Sequence, residues 1–283
     1  RGRRHKDHCA ILALYVLMKS SLQSELAVVI PIHNEAAILR DAILAFTKKI
    51  TEVVSETDWH YVLVENGSTD YTAEILPQLK KIRPSTKVIR IPSANYGNAL
   101  RTGLLAAQSD WCLIMNIDHL WDAEFFSWAW RCRHDFSLVL ASKRADLTLN
   151  QQGRYRQFLS AALNFLLQSF CGSVVTDTHG MKLLHLTALR PLIQSCVMRR
   201  GQFDTELTLR TLRAGHPVAE VPIPYIEKRK PRNLMVRKII QNVYDLFRLY
   251  LIMRNVPYRG SGQYRRFNRS DLSESANSCP STR

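Results

Sequence analysis

Apolar residues in this chain fall into short unbroken runs separated by stretches of helical periodicity. Ala27-Val28-Val29-Ile30-Pro31-Ile32, Tyr61-Val62-Leu63-Val64 and Cys112-Leu113-Ile114-Met115 are runs of this kind. Each is apolar without alternation, the pattern of a strand buried on both faces of a parallel sheet. The first run predicts a strand at 26–32. Ile38, Leu39, Ala42, Ile43, Phe46 and Ile50 then recur at helical spacing, predicting a helix over 35–50. A strand at 61–64, a helix entered through Ser68-Thr69-Asp70 and ending at Leu79, and a strand at 87–91 closed by Pro92 come next. A helix at 97–108 and a strand at 111–117 complete a β-α-β-α alternation, which argues for a mostly parallel sheet flanked by helices.

The second half is less regular. It predicts a helix at 123–131, a strand at 137–142, a polar loop at 144–154 and a helix at 155–170. Phe158, Leu159, Ala162, Leu163, Leu166 and Leu167 form one broad face of that last helix. A strand at 181–184, a helix at 204–214 closed by Gly215, a strand at 218–221 and an amphipathic helix at 234–253 follow. Residues 257–283 are polar and expected to be disordered. Cys9 to Met18 is apolar, but a membrane span needs ~20 such residues, so 9–22 reads as a short helix.

Composition narrows the class. With 283 residues, 46% hydrophobic and 22% charged, the chain suits one large α/β domain or two small ones. Six cysteines show no CxxC spacing, which argues against a zinc site and for reduced thiols in the cytosol. The net charge of +15 is concentrated: residues 228–269 hold twelve Lys or Arg against Asp245 alone. Such a stretch could meet nucleic acid or an anionic membrane surface.

The chemistry sits where the apolar runs end. Glu35 and Glu65 each follow a strand, where a carboxylate can bind a ribose or base; helix capping by Asn34 and a plain turn at Glu65-Asn66-Gly67-Ser68 are the structural alternatives. Asp118 ends the run 112–117 and would suit a hard divalent cation, with Asp122 one turn on; capping the next helix is its alternative. Asn95 to Gly103 bears glycines but matches neither a Walker loop nor a GxGxxG fingerprint. Arg101 on it could approach a phosphate or lie on a helix surface.

Taken in order, these segments resemble family 2 glycosyltransferases of the GT-A fold, whose first strand reads Val-Val-Ile-Pro-x-x-Asn-Glu and whose fourth ends in Asp-x-Asp. Residues 158–164, Asp177-Thr178-His179-Gly180-Met181-Lys182, Phe203-Asp204-Thr205-Glu206-Leu207 and Ala219-Glu220-Val221-Pro222-Ile223 are similar to blocks of the dolichyl-phosphate mannosyltransferase type of polyprenyl-phosphate hexosyltransferase. The resemblance spans about 26–250. It implies a single GT-A (Rossmann-like) domain at 26–233, made of a nucleotide half at 26–122 and an acceptor half at 123–233. A basic extension at 1–25, the amphipathic helix at 234–256 and the polar tail at 257–283 flank it.

By position, the resemblance assigns Pro31, His33, Glu35, Glu65, Asn66, Gly97, Arg101 and Asn116 to the nucleotide sugar, and Arg144, Arg229 and Arg232 to phosphates. Asp118 becomes the metal-bearing acid. Mg2+ or Mn2+ would be held weakly, because Asn116 stands where the family has the first acid of Asp-x-Asp. The implied reaction is inverting transfer of a hexose from a nucleoside-diphosphate sugar to an acceptor. A polyprenyl phosphate at the inner face of a membrane is the first choice of acceptor, and needs no strong base. A soluble enzyme acting on a hydroxyl of a glycan is the second; it would need a base, with Asp204 or Glu206 the candidates and His179 a weaker one. An inactive domain binding nucleotide or nucleic acid is a third.

Overall fold

The computed structural model describes residues 24–55, 58–117, 122–151, 153–172, 174–226, 235–260 and 263–274. The apolar runs build its sheet. Strand β1 (Ser24–Ile32) lies between β2 (Trp59–Asn66) and β4 (Ser109–Ile114), and β3 (Lys87–Ile91) lies beyond β2. All are parallel, with Ile32 opposite Glu65 and Val29 opposite Ile114. Helices α1 (Leu39–Thr51), α2 (Thr72–Leu79), α3 (Tyr96–Ala106) and α4 (Ala123–Arg131) follow the four strands in turn.

Side chains of β1 alternate between two cores. Leu26, Val28, Ile30 and Ile32 meet Leu39, Ile43 and Phe46 of α1 and Phe125 and Trp128 of α4. Ala27 and Val29 meet Leu100 and Leu104 of α3. This two-sided burial is why the strand lacks polar alternation. Gly103 lets α3 lie close: a Cβ there would sit 2.6 Å from Val29 Cγ1.

The second half adds β5 (Leu138–Ser142), β6 (Asn150–Gln151), α5 (Arg154–Cys171), β7 (Lys182–His185), α6 (Leu186–Ser195), α7 (Phe203–Arg213), β8 (Val218–Pro222), β9 (Tyr225–Ile226), α8 (Met235–Arg254), β10 (Tyr264–Arg266) and α9 (Arg269–Glu274). The main sheet has eight strands in the order β10-β8-β5-β7-β4-β1-β2-β3, and β6 pairs with β9 apart from it. Strand β7 runs antiparallel to both β4 and β5, placing Lys182 beside Ile114 and Leu140. Leu167 and Cys171 of α5, Leu209 of α7, and Leu246, Leu249 and Met253 of α8 form a third, smaller cluster with Met198. The four described cysteines, Cys112, Cys132, Cys171 and Cys196, are buried free thiols.

Three expectations need correction. The first helix begins at Leu39 rather than Glu35, because Asn34 takes a left-handed φ of 56° and residues 36–38 form a turn. Helix α6 was not expected; Leu186, Leu189 and Ile193 carry its buried stripe, and Pro191 inside it masks the helical pattern. Most importantly, residues 263–274 are ordered. Tyr264–Arg266 pairs in parallel with β8, and Phe267 packs 4.7 Å from the Trp128 ring and 5.8 Å from Phe136. The short helix expected at 9–22 lies outside the described residues.

Candidate active site

The chain passes from β1 to β2 and β3 on one side, then returns to add β4 on the other. The topological switch point therefore falls between β1 and β4, where open α/β sheets bind ligands beyond the carboxyl ends of their strands. Glu35 follows β1, Glu65 and Asn66 end β2, and Asn116 follows β4, so one rim carries them all.

Backbone-to-side-chain hydrogen bonds hold that rim. The Asn34 amide donates to Ser68 Oγ (3.1 Å), and Asn34 Oδ1 accepts from the Thr69 amide (2.8 Å). The Glu35 amide donates to Thr72 Oγ1 (2.9 Å), and the Ala36 amide to Asp70 Oδ2 (3.2 Å). His33 Nδ1 donates to the Asn66 carbonyl at 2.9 Å, which fixes the imidazole tautomer. Glu65 Oε1 accepts from the Ser68 amide (2.6 Å), and Asn66 Oδ1 from the Asn95 amide (2.6 Å). Three loops are thereby joined into one platform. Gly67 makes the junction possible: its φ is +63°, and a Cβ would lie 2.7 Å from the Ala94 nitrogen.

Across the switch point lies a second group. The Tyr96 hydroxyl is 3.3 Å from Asn116 Oδ1 and 3.3 Å from Asp204 Oδ2, and its single proton serves one oxygen at a time. Lys182 Nζ lies 3.2 Å from Asp204 Oδ1 and donates to the Gly180 carbonyl at 2.8 Å. Both members of this ion pair are sealed from solvent. His179 Nε2 donates to the Gly201 carbonyl (3.1 Å), and its Nδ1 faces Thr178 Oγ1 (3.2 Å). Burial pulls the His179 pKa below its ordinary value although Asp204 and Asp177 oppose this, so the ring is neutral. Burial pushes the Asp177 carboxyl up, but Lys143, with Nζ 3.9 Å away, leads the charges that bring it below the usual range. Glu220, fully buried, accepts from the Thr176 and Asp177 amides and from the Tyr264 hydroxyl, tying this segment to the sheet edge.

Several expected residues serve elsewhere. Glu206 lies two positions after Asp204 on α7, about 200° around the helix. It accepts from the Val197 and Met198 amides and from Arg210, so it holds a loop rather than facing an acceptor. Asp122 caps α4 through the Phe125 amide (2.9 Å) and pairs with Arg269 at 2.7 Å, which commits it away from a metal. Arg101 donates to the Gln194 carbonyl, joining α3 to the end of α6. Arg144 sits at the end of β5, its amide on Ser142 Oγ. Asp118, Arg229 and Arg232 lie outside the described residues.

Among the described residues no three His, Cys, Asp or Glu side chains gather as a metal site. Asn116 offers an amide oxygen at the end of β4, a hard donor of the type Mg2+ and Mn2+ accept. The donor set fits such a cation only if a diphosphate supplies most of its ligands.

Lys182, Tyr96 and Glu220 had no assigned role from sequence. Lys182 carried a signal: a lone charge in the apolar stretch Gly180-Met181-Lys182-Leu183-Leu184 needs a buried partner.

Known proteins share this fold. Glucosyl-3-phosphoglycerate synthase from Mycobacterium tuberculosis, solved with Mn2+, uridine diphosphate and glucosyl-3-phosphoglycerate, superimposes with a TM-score of 0.55 at 18% identity, covering 86% of this chain and 84% of that one. The sheet, its helices and its switch point define a GT-A glycosyltransferase fold. Residues 27–130 match the family model described as Glycosyl transferase family 2. Over 219 residues the chain is 23% identical to the dolichyl-phosphate beta-glucosyltransferase of Dictyostelium discoideum, spanning 71% of this chain and 66% of that protein. Over 222 residues it is 24% identical to the Mus musculus dolichyl-phosphate beta-glucosyltransferase, spanning 72% and 68%.

Proposed function

We propose that this chain transfers a hexose from a nucleoside-diphosphate sugar to a polyprenyl phosphate, with inversion at the anomeric carbon. The observation that carries this proposal is the single rim on which Glu35, Glu65 and Asn116 meet the Tyr96–Asp204–Lys182 group across the β1–β4 switch point. The relatives named for dolichyl phosphate support the choice of acceptor.

An acceptor phosphate oxygen forms the new C–O bond as the bond to the donor diphosphate breaks, and the nucleoside diphosphate leaves. The nucleophile is already anionic, so no general base is required. Asp204, sealed and matched by Lys182, then positions Tyr96 and the rim rather than accepting a proton. Glu35, Glu65 and Asn66 order the nucleoside, and the platform lowers the entropy cost of alignment. A divalent cation, Mg2+ or Mn2+, held by Asp118 together with the diphosphate, would supply counter-charge to the leaving group.

The membrane surface belongs to the same proposal. No helix among the described residues is long and apolar enough to cross a membrane. Helix α8 nevertheless exposes Val243, Tyr244, Phe247 and Leu251, and α5 exposes Phe158 and Phe165. Such residues on two packed helices suit the headgroup region of a bilayer. A thermal-shift panel of UDP-, GDP- and dTDP-sugars, with and without Mn2+, identifies the donor, since binding to the native state raises its melting point. Transfer of label from that donor into polyprenyl phosphate tests the reaction; no transfer with a donor that binds defeats it.

A further inference from the structure

A cleft of about 280 Å3 opens beside the rim, between the loop after α6 and the middle of α8. Asn95, Arg199, Arg200, Tyr244, Asp245 and Arg248 line it. Three guanidinium groups thus face one carboxylate. Asp245 Oδ1 accepts from Gln241 Nε2 at 3.0 Å, and none of the three arginines has a carboxylate within 4.0 Å among the described residues. Arg199 Nη1 donates to the Cys196 carbonyl. The cleft therefore carries net positive charge and, among the described residues, guanidinium donors without a carboxylate partner, the chemistry of a phosphoryl site.

Its walls are built, not loose. The buried Glu206 carboxylate holds the Val197 and Met198 amides at 2.6–3.0 Å, directly before the two arginines. On the other side, α3 presses against the same loop: a Cβ on Gly97 would lie 2.1 Å from the Arg200 carbonyl oxygen. The next residue back, Tyr96, reaches Asn116 and Asp204. The cleft and the switch point thus share one turn of helix.

The cleft also continues into apolar surface. Tyr244, Phe247, Arg248 and Leu251 recur at i, i+3, i+4 and i+7, one stripe of α8. Tyr244 is 61% exposed, Phe247 59% and Leu251 44%. A ligand that combined a phosphate with a hydrocarbon chain would satisfy the arginines and cover this stripe at once.

We infer, given the polyprenyl-phosphate acceptor proposed above, that Arg199, Arg200 and Arg248 bind the acceptor's phosphate and that the Tyr244–Phe247–Leu251 stripe receives the start of its chain. Arg200 and Arg248 are exposed, so truncating them spares the core.

Arg200→Ala and Arg248→Ala in the full chain test this. Binding is measured for farnesyl phosphate, inorganic phosphate, farnesol and nucleoside diphosphate, alongside sugar transfer to polyprenyl phosphate. Each variant is expected to weaken farnesyl phosphate by about tenfold, the value of one charge-assisted contact, and to leave the nucleoside diphosphate unchanged. Farnesol binding too weakly to measure supports recognition of the phosphate. Wild-type affinity for farnesyl phosphate in both variants overturns the inference. Equal loss of nucleoside diphosphate also overturns it, assigning the cleft to the donor. Arginine-dependent binding of inorganic phosphate without farnesyl phosphate reduces the cleft to a free-anion site and overturns it too. Arginine-dependent binding of farnesyl phosphate with no transfer to any polyprenyl phosphate keeps the cleft and defeats the proposed reaction instead.

Discussion

The ammonium of Lys182 stands 3.2 Å from Asp204 Oδ1, with 1% and 0% of the two side chains exposed. The strand order explains the meeting: β7 lies antiparallel beside β4, so Lys182 sits opposite Ile114 at the edge of the switch point. Removing one partner of such a pair strands a buried charge. Lys182→Met is therefore expected to cost about 3–5 kcal/mol of stability. Adding Asp204→Asn to it should recover much of the loss, because the charge is gone and an amide oxygen still faces Tyr96. Urea denaturation of the two variants checks this; a double variant no more stable than Lys182→Met contradicts it.

Two glycines separate local strain from crowding at the site. Gly67 and Gly172 both have φ near +65°, but only Gly67 is hemmed in, with Ala94 and Ser93 backbone atoms under 3.0 Å from a notional Cβ. Gly172→Ala should cost roughly 1 kcal/mol, the left-handed penalty alone. Gly67→Ala should cost about 1–3 kcal/mol beyond that, because the β3–α3 loop must shift. It should also weaken nucleotide binding, since that loop presents Asn95 to Asn66. Equal stability losses for the two variants would remove the crowding argument.

Acid should weaken the fold through half-buried histidines whose neutral form is favoured in the native state. Burial draws His179 below its ordinary 6.5, and the same cause lowers His60, His185 and His216. Between the native and unfolded values the unfolded chain holds more protons, so stability falls as pH falls below 6.5. The slope contributed by His179 is at most about 1.4 kcal/mol per pH unit. Asp177, lowered in the native state, adds a further loss only at more acid pH, as it is protonated. His179→Gln should flatten the dependence of the urea midpoint between pH 7.5 and 5.5, and an unchanged slope refutes the assignment.

Asn116 offers a direct test of the metal. It shares the Tyr96 proton with Asp204 and, by the family resemblance, stands where a first acid would be, so Asn116→Asp keeps an acceptor for Tyr96 and adds a charged oxygen donor. The Mn2+ concentration for half-maximal transfer should drop by about tenfold, the worth of one added carboxylate ligand. Full transfer by the unaltered chain in excess chelator would show that arginines alone carry the diphosphate charge.

How much of this was legible in the sequence depended on the range of the interactions. The strands of the first half were plain, because two-sided burial leaves continuous apolar runs such as Ala27 to Ile30. Strand ends also fix where Glu35 and Glu65 emerge, while Asp118, expected to join them, lies outside the described residues. The exact duties of Glu35 and Glu65 were not legible. Glu65 reads equally as a ligand or a turn former until the Ser68 amide is seen on its carboxylate. Asp122 and Glu206 carried the right chemistry for metal and base, and only tertiary partners 147 residues away at Arg269, or on the Val197 loop, show what they hold. The buried Lys182–Asp204 pair joins residues whose spacing follows no local period.

The C-terminal segment was the largest misreading, and it leads to a sharp prediction. Tyr264, Phe267 and Leu272 are too sparse among arginines and serines to form a periodic pattern, yet each finds a site prepared by distant strands. Phe267 is 2% exposed, and its amide donates to the Glu220 carbonyl at 2.9 Å. Its ring fills the space between Trp128 and Phe136, while Arg265 lies 4.8 Å over its other surface. Phe267→Ala should therefore cost about 3–5 kcal/mol, as for other buried phenylalanines, an effect no disordered tail could have. Tyr264 bears on the site as well, because its hydroxyl donates to the Glu220 carboxylate that also holds the Thr176 and Asp177 amides. Tyr264→Phe should leave most of the stability intact but loosen the Asp177–His179 segment, seen as faster amide exchange there. If Phe267→Ala unfolds at the wild-type urea concentration, β10 does not belong to the sheet in solution.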